Sequence, residues 1–217
     1  MMHQKEIFLP YKIIEEPGEG EYEEKKSRFI AKIVPAASEE EAVAFIDLVK
    51  KKYYDARHHC PALIIGRNRE VTRCSDDGEP GGTAGKPILE VMLGAEITNA
   101  VMMVTRYFGG TLLGTGGLVR AYTQAAKAAL ADAKTATMRY GTRITVGADY
   151  SDVGRIQHLL GSRGIVPSAS RYTDKVEFDI CIPAEQEKEI EKALTQATAA
   201  RAGINVTGRG YYKDKSV

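Results

Sequence analysis

The stretch VTRYFGGTLLGTGGLVRAY at residues 104–122 decides the fold of the first half of the chain. It continues a β-prone run that starts at residue 101, and it leads into an alanine-rich segment typical of a helix, which extends to residue 134. The glycines between these two segments interrupt both strand and helix. The order predicts a strand, a glycine loop and a helix as the central unit of a mixed α/β domain.

A second glycine-rich stretch, SDDGEPGGTAGKPIL at residues 75–89, precedes this unit. Four glycines and two prolines within residues 75–87 predict a loop, and the apolar residues 88–93 predict a short helix after it. Upstream, residues 29–34 are typical of a strand, whereas Ser38 and Glu41 form a capping box that predicts the start of a helix. Two short strands are predicted at residues 62–65 and around Val71.

The second half of the chain has the pattern of a βαββαβ domain. Strands are predicted at residues 144–148, 176–182 and 204–206, and Ser151 is predicted to cap the first helix. Strict alternation in the middle strand predicts a wet sheet face that displays acidic side chains rather than the aromatic ones of RNA-recognition sheets. We place the domain boundary so that residues 1–137 form the first domain and residues 138–217 the second.

The composition excludes several classes of protein. With 43% hydrophobic and 27% charged residues, the 217-residue chain is predicted to be globular, and its net charge of +1 gives no general attraction to nucleic acid. Three cysteines do not suggest a disulfide framework, and no signal peptide or apolar run of about 18 residues is apparent. We expect a cytoplasmic protein with no membrane partner and no sequence-specific binding to DNA.

Both glycine-rich stretches, in this order, resemble the paired signatures of the IMPACT/YigZ family, and the second half is similar to the carboxyl-terminal domain of its bacterial members. The resemblance implies an α+β protein. Its amino-terminal α/β sandwich would be like a small-subunit ribosomal protein and domain IV of elongation factor G, with a left-handed βαβ crossover. A ferredoxin-like βαββαβ domain, like the last domain of that factor, would follow.

The loop at residues 109–117 is a candidate anion site. Glycines let backbone amides approach a phosphate, the following helix presents the positive end of its dipole, and two arginines flank the loop. The stretch lacks the lysine of a P-loop, and tight turns with close helix packing explain the glycines equally well. The candidate residues are Arg106, Gly109, Gly110, Gly114, Thr115, Gly116, Gly117 and Arg120.

The loop at residues 75–85 supplies a secondary set. Asp76, Asp77 and Glu79 are enough carboxylates for a magnesium ion, with Thr83 and Lys86 as supports for a phosphate. Alternatively, the carboxylates pair with arginines or accept backbone hydrogen bonds in a turn. We predict no metal ligand and no cofactor. If the loop did bind an ion, magnesium is the one that it would suit. The set His58, His59 and Cys60 fits neither a zinc site nor a nucleophilic pair and is typical of a buried strand cysteine between surface histidines.

These observations leave three functions open. The first is a non-enzymatic, translation-associated regulator that binds the ribosome, RNA or a translation-associated protein through Arg106, residues 109–117 and Arg120. The resemblance implies this role, since eukaryotic members inhibit the amino-acid-starvation kinase pathway by binding its activator. The second is an enzyme that binds a nucleotide and magnesium, although no catalytic residue stands out. The third is a pure protein-binding module.

Overall fold

A computed structural model describes residues 8–214 of the chain, which form two compact units. Residues 11–136 make the first unit, and residues 137–214 make the second together with residues 8–10. The Phe8 ring stacks on Tyr140 with ring centroids 3.7 Å apart, and the Tyr211 hydroxyl donates to the Leu9 carbonyl oxygen at 2.9 Å. Residues 8–10 therefore pack with the second unit, although they precede the first in sequence.

The first unit contains six strands and three helices within the described residues. These are β1 (Tyr11–Glu16), β2 (Gly18–Glu24), β3 (Ser27–Pro35), α1 (Glu39–Lys52), β4 (His58–Ile65), β5 (Val71–Cys74), α2 (Gly85–Gly94), β6 (Ala100–Tyr107) and α3 (Gly114–Asp132). Five strands form a sheet in the order β2-β3-β6-β4-β5, with every neighbouring pair antiparallel. Because β3 and β4 both run antiparallel to β6, they are parallel to each other and α1 connects them as a βαβ crossover. The left-handedness of this crossover stays a prediction.

The sheet carries helices on both faces because its strands alternate their apolar residues. Phe29, Ala31 and Ile33 of β3 lie in the larger core beneath α2 and α3, together with Ile88 and Tyr122 from the two helices. Leu63, Ile65 and Val101 point to the opposite face, where α1 covers them. Ser38 caps α1 as predicted, since its Oγ accepts from Glu41 N at 3.3 Å. The side chain of Glu41 accepts in turn from the backbone amide of Ala37 at 2.8 Å.

The second unit is a ferredoxin-like domain. Its elements are β7 (Lys134–Ala148), which begins in the first unit, then α4 (Val153–Ser162), β8 (Ala169–Tyr172), β9 (Val176–Pro183), α5 (Glu187–Ala197) and β10 (Gly203–Lys213). The strands pair antiparallel in the order β10-β7-β9-β8, the arrangement of a βαββαβ fold. The chain is thus an α+β protein, as predicted from its sequence. Within the described residues, no helix is long and apolar enough to cross a membrane.

Two details of the second unit test the sequence reasoning. Ser151 does not cap a helix, because it lies inside a 3₁₀ turn at Tyr150–Asp152 and α4 starts only after that turn, so this prediction was wrong. The acidic wet face is confirmed, since Glu177 and Asp179 alternate with the buried residues of β9. Both carboxylates bind Arg171, with their oxygens 2.9 and 2.5 Å from its nitrogens.

Candidate functional site

Arg106 lies in a buried ion pair rather than on the surface. It is 6% exposed at the end of β6, and its Nη1 donates to both carboxylate oxygens of Glu79, at 2.7 and 3.0 Å. Glu79 is 8% exposed, and its Oε1 also accepts from the Tyr122 hydroxyl of α3 at 2.8 Å. These hydrogen bonds offset much of the cost of burying two charges, and the three residues form a network beneath α3 in which the buried Nε of Arg106 is left without a partner among the described residues.

The second terminal nitrogen of the Arg106 guanidinium helps to hold the start of the glycine loop. Its Nη2 donates to Ser27 Oγ at 3.4 Å, and the same hydroxyl oxygen accepts from the backbone amide of Gly109 at 3.1 Å. The rings of Phe29 and Phe108 flank the guanidinium carbon at 5.4 and 5.6 Å. The sequence predicted Arg106 as a phosphate ligand, whereas the structure places it as a support for the loop.

Cys60 adjoins this network but is not arranged for chemistry. Its Sγ lies 3.1 Å from the carbonyl oxygen of Asp76 and 3.5 Å from the Tyr122 hydroxyl. Burial raises the pKa of the Cys60 thiol to about 12, and burial also raises the pKa of Tyr122 well above its ordinary value. Because thiolate is the reactive form, Cys60 is an inert core residue.

The two histidines before Cys60 differ in their surroundings. His59 is buried, with Nε2 3.0 Å from the Tyr53 carbonyl oxygen, so the prediction of a surface residue was wrong for it. His58 is half-buried, and its Nδ1 lies 2.9 Å from the carbonyl oxygen of Asp77. The hydrogen bonds that bind this strand to the acidic loop explain the burial of His59, which no local pattern indicates.

The carboxylates of the loop at residues 75–85 are all engaged within the protein. Asp76 accepts from the backbone amides of Gly82, Ala84 and Gly85 at 2.7, 3.0 and 2.9 Å, so it holds the start of α2. Asp77 accepts from the backbone amide of His59 at 2.7 Å. Together with the Glu79 ion pair, these contacts agree with a structural role for the loop.

The supports predicted for a phosphate are also engaged in this part of the chain. Thr83 is buried and donates to the Pro80 carbonyl oxygen at 2.7 Å, and Lys86 lies 3.9 Å from Glu90 one helical turn away. Within residues 8–214, no group of three or more histidine, cysteine, aspartate or glutamate side chains could hold a metal ion. The arrangement therefore offers no observation in favour of magnesium.

Replacing Asp76 with alanine should lower the free energy of unfolding by about 1–2 kcal/mol at pH 7, as for other carboxylates that cap helices. Partial burial alone would raise the pKa of Asp76, but the three amide hydrogen bonds outweigh it and lower the pKa. Because the folded-state pKa is the lower one, this contribution is complete above the unfolded pKa near 3.9 and is lost as the pH falls through the folded pKa. Urea unfolding between pH 7 and pH 2.5 measures it.

The matched control for this prediction is Asp47→Ala, which removes an exposed carboxylate of α1 in the same unit. It should leave both the stability at pH 7 and its decline in acid nearly unchanged. Equal pH profiles for Asp76→Ala and the native protein would show that the amide hydrogen bonds contribute nothing to stability.

The glycine loop itself is exposed and ends at an uncapped helix. Leu112 is 83% exposed and Phe108 is 50% exposed, while Gly110 and Gly114 take φ values of +86° and +71° that favour glycine. No side chain caps the start of α3, so its first backbone amides have no side-chain acceptor at the cap position. The predicted loop residues that are exposed are Gly110, Gly114, Thr115, Gly116 and Arg120, whereas Gly109 is half-buried and Gly117 is buried.

Beside this loop lies a turn that sequence reasoning missed. Lys25 and Lys26 connect β2 to β3 as a two-residue hairpin, with Glu24 opposite Ser27 and with φ values of 47° and 65° at the two lysines. A Cβ atom on Gly109 would lie 2.1 Å from the backbone carbon of Lys26, so only glycine fits at that position. The usual Asn-Gly signal of such a turn is absent from the sequence, which explains the omission.

The fold and the loop define a two-domain α+β protein with a glycine loop held by a buried arginine in the first domain and a ferredoxin-like second domain. Residues 25–130 match the Impact N-terminal domain, and residues 146–201 match a domain of unknown function, DUF1949. The chain is 34% identical to the IMPACT family member YvyE of Bacillus subtilis over 95% of both chains. The protein belongs to the IMPACT family.

Two further comparisons agree with this assignment. The chain is 38% identical to the IMPACT family member YigZ of Escherichia coli, over 78% of this chain and 84% of the relative. A crystal structure described as that of a hypothetical protein is similar with a TM-score of 0.60 and 33% identity. The match covers 93% of this chain and 99% of the other, so both domains have a counterpart of known structure.

Proposed function

We propose that this protein is a non-enzymatic, translation-associated regulator that binds ribosomal or other RNA through the exposed glycine loop of its first domain. The observation that carries the proposal is the hydrogen-bond network that holds the loop from beneath. Arg106 is held by Glu79 and Ser27, and Ser27 in turn accepts from Gly109. A loop that is held from the core side and has its outer side in solvent is suited to binding a partner.

The chemistry of the loop surface suits a nucleic-acid backbone. The first amides of α3 have no side-chain acceptor at the cap position and lie at the positive end of the helix dipole. Arg120 in the next turn is exposed, with no ion-pair partner in the described part of the chain. Such groups bind phosphate oxygens regardless of sequence. The IMPACT/YigZ resemblance implies a translation-associated role for the domain that carries this loop.

Two exposed arginines of the second domain are already neutralised by carboxylates. Arg171 is bound to Glu177 and Asp179 on the wet sheet face, and Arg209 is bound to Glu187 with an N to O distance of 2.6 Å. Exposed ion pairs are weak, but the net charge of each group is zero or negative. We therefore assign RNA binding to the first domain.

Replacing Arg120 with glutamine should weaken the association of the protein with ribosomes about 5- to 10-fold at low salt. The loss of one phosphate contact should also reduce the slope of log affinity against log salt by about 0.7–0.9. Co-sedimentation with ribosomes over a salt series measures both effects. The matched control is Lys127→Gln, which removes an exposed cation two turns further along α3 and should change neither.

Two outcomes would contradict the proposal. No co-sedimentation of the native protein even at low salt would exclude a ribosome-binding role. Association that does not respond to salt would favour the pure protein-binding module, for which Leu112 at the exposed tip of the loop is the apolar anchor.

A further inference from the structure

We propose that Lys25 and Lys26 bind the phosphates of single-stranded RNA while one of its bases stacks on Phe108. This inference rests on the proposed function, since it names the form of the RNA and the residues that contact it. The lysine turn, residues 25 and 26, and Phe108 lie at the same end of the sheet. They meet there because β3 begins where β6 ends, with Arg28 opposite Tyr107 in the register.

The two-residue hairpin requires positive φ at both of its central positions, but it does not require lysine there. Both central residues of a type I′ turn have positive φ, which asparagine and glycine adopt readily and lysine does not. Lys25 and Lys26 nevertheless occupy these positions, with φ values of 47° and 65°. Residues held in sparsely populated conformations cluster at functional sites. Six other described non-glycine residues also have positive φ, so the backbone of the turn agrees with a use for the two lysines, and their charge and position carry the inference.

The positive charges of the lysine turn are available to bind a ligand. Both lysines are exposed, and within residues 8–214 neither makes an ion pair or a hydrogen bond through its side chain. By contrast, Arg28 and Lys32 on the adjoining strand are bound to Glu21 and Glu19. The only cations of this hairpin that remain unpaired are thus the two at its tip, next to Gly109 of the glycine loop.

Phe108 provides a fixed aromatic surface beside these charges. The guanidinium of Arg106 lies over its ring with the carbon atom 5.6 Å from the ring centroid, and Arg106 is immobilised by Glu79. Half of Phe108 remains exposed, so the ring can accept a base. Base stacking on an aromatic residue next to a positively charged track is how proteins bind single strands without sequence preference.

These features favour single-stranded RNA over a duplex. A base in a duplex is already stacked and paired, so it reaches an aromatic side chain only where the strand is open. A duplex would use the lysines alone and leave Phe108 without a role. The inference therefore predicts a preference for single strands that depends on Phe108.

The decisive variant is Lys25→Asn combined with Lys26→Gly, which gives the turn its preferred residues and removes both charges. We expect the melting temperature to rise by about 2–8 °C, because the strain is relieved. We expect the affinity for a fluorescent 12-nucleotide oligouridylate, measured by anisotropy, to fall about 10-fold, and the salt slope to decrease by about 1.4. Lys25→Arg with Lys26→Arg should retain the affinity, whereas the charge-matched control Lys50→Gln with Lys51→Gln should leave it unchanged.

A second pair of variants tests the stacking. Phe108→Ala should weaken oligouridylate binding about 5- to 150-fold, the range found for single base-aromatic contacts, and Phe108→Trp should retain it. Tyr54→Ala removes another exposed aromatic residue of the first domain and should have no effect. A duplex of the same length should bind the native protein more weakly and respond little to Phe108→Ala.

The outcomes separate this inference from the function on which it rests. Retention on ribosomes without binding to oligouridylate would overturn the inference and leave the proposed function standing. Oligouridylate binding that is unchanged in the Asn-Gly variant would overturn the role of the lysine turn in binding RNA. A lower melting temperature in that variant would overturn the claim that the two lysines strain the turn. Absence of both ribosome and oligouridylate binding would overturn the inference and the proposed function together.

Discussion

Replacing Glu79 with alanine should lower the free energy of unfolding by about 3–5 kcal/mol, the largest effect that we expect from a single side chain. The substitution leaves the buried guanidinium of Arg106 without its counter-charge, and it also removes the acceptor of the Tyr122 hydroxyl. The cost of an unpaired buried charge exceeds the net value of the pair itself. Urea unfolding followed by circular dichroism measures the change.

Two controls identify the cause of this loss. Glu16→Ala breaks an exposed ion pair with Lys134, in which the side chains are more than half exposed, and it should cost less than about 1 kcal/mol. Glu79→Leu combined with Arg106→Met removes both charges together and should recover most of the stability. If the double variant were as unstable as Glu79→Ala, the loss would come from packing and not from the buried charge.

The sequence predicts those elements whose residues follow a local pattern. The strand, glycine loop and helix around residues 101–134 correspond to β6, the loop and α3, because glycine and alanine have strong intrinsic preferences. The order of elements in the second domain is also recovered, since strict alternation marks β9 and apolar residues at helical spacing mark α5. Patterns of this kind depend on neighbours in sequence and need no tertiary information.

The sequence does not predict β2 as a strand of its own. Glutamates occupy alternate positions from Glu19 to Glu23, a residue type that is depleted in strands. In the structure, Glu19 binds Lys32 and Glu21 binds Arg28, both on the neighbouring strand β3. Cross-strand charge pairs of this kind stabilise an exposed edge strand, and no window of sequence within β2 alone reveals them.

The sequence predicted the position of the glycine loop but not the surroundings of each candidate residue, and the role of the loop as a site stays a prediction. The glycine loop and Arg120 lie on the surface as the motif suggests, yet Arg106 is buried because its partner Glu79 comes from a loop 27 positions earlier in the chain. A run of acidic residues gives no sign of which member turns inward. Asp76 and Asp77 accept from backbone amides, whereas Glu79 pairs with a buried arginine, so three similar residues have two different kinds of partner.

Replacing Gly109 with alanine should destabilise the first domain by about 1–3 kcal/mol or more and should abolish RNA binding by the loop. The new Cβ atom would lie 2.1 Å from the backbone carbon and 2.4 Å from the backbone oxygen of Lys26, and neither atom belongs to a flexible side chain. The hairpin and the loop must therefore move apart, which costs overpacking energy and breaks the hydrogen bond from the Gly109 amide to Ser27. Urea unfolding and oligouridylate anisotropy measure the two losses.

The control Gly81→Ala separates a steric effect from a general effect of glycine. No atom lies within 4 Å of the position of its Cβ, and its φ is not positive, so the protein should keep its stability and its RNA affinity. If Gly109→Ala destabilised the fold but left RNA binding intact, the loop would not need its close contact with the hairpin in order to bind RNA. If Gly109→Ala lost both stability and RNA affinity while Gly81→Ala kept them, the lysine turn and the glycine loop would act as one rigid surface. The reason is that the methyl group added to the loop would collide with the backbone of the lysine turn.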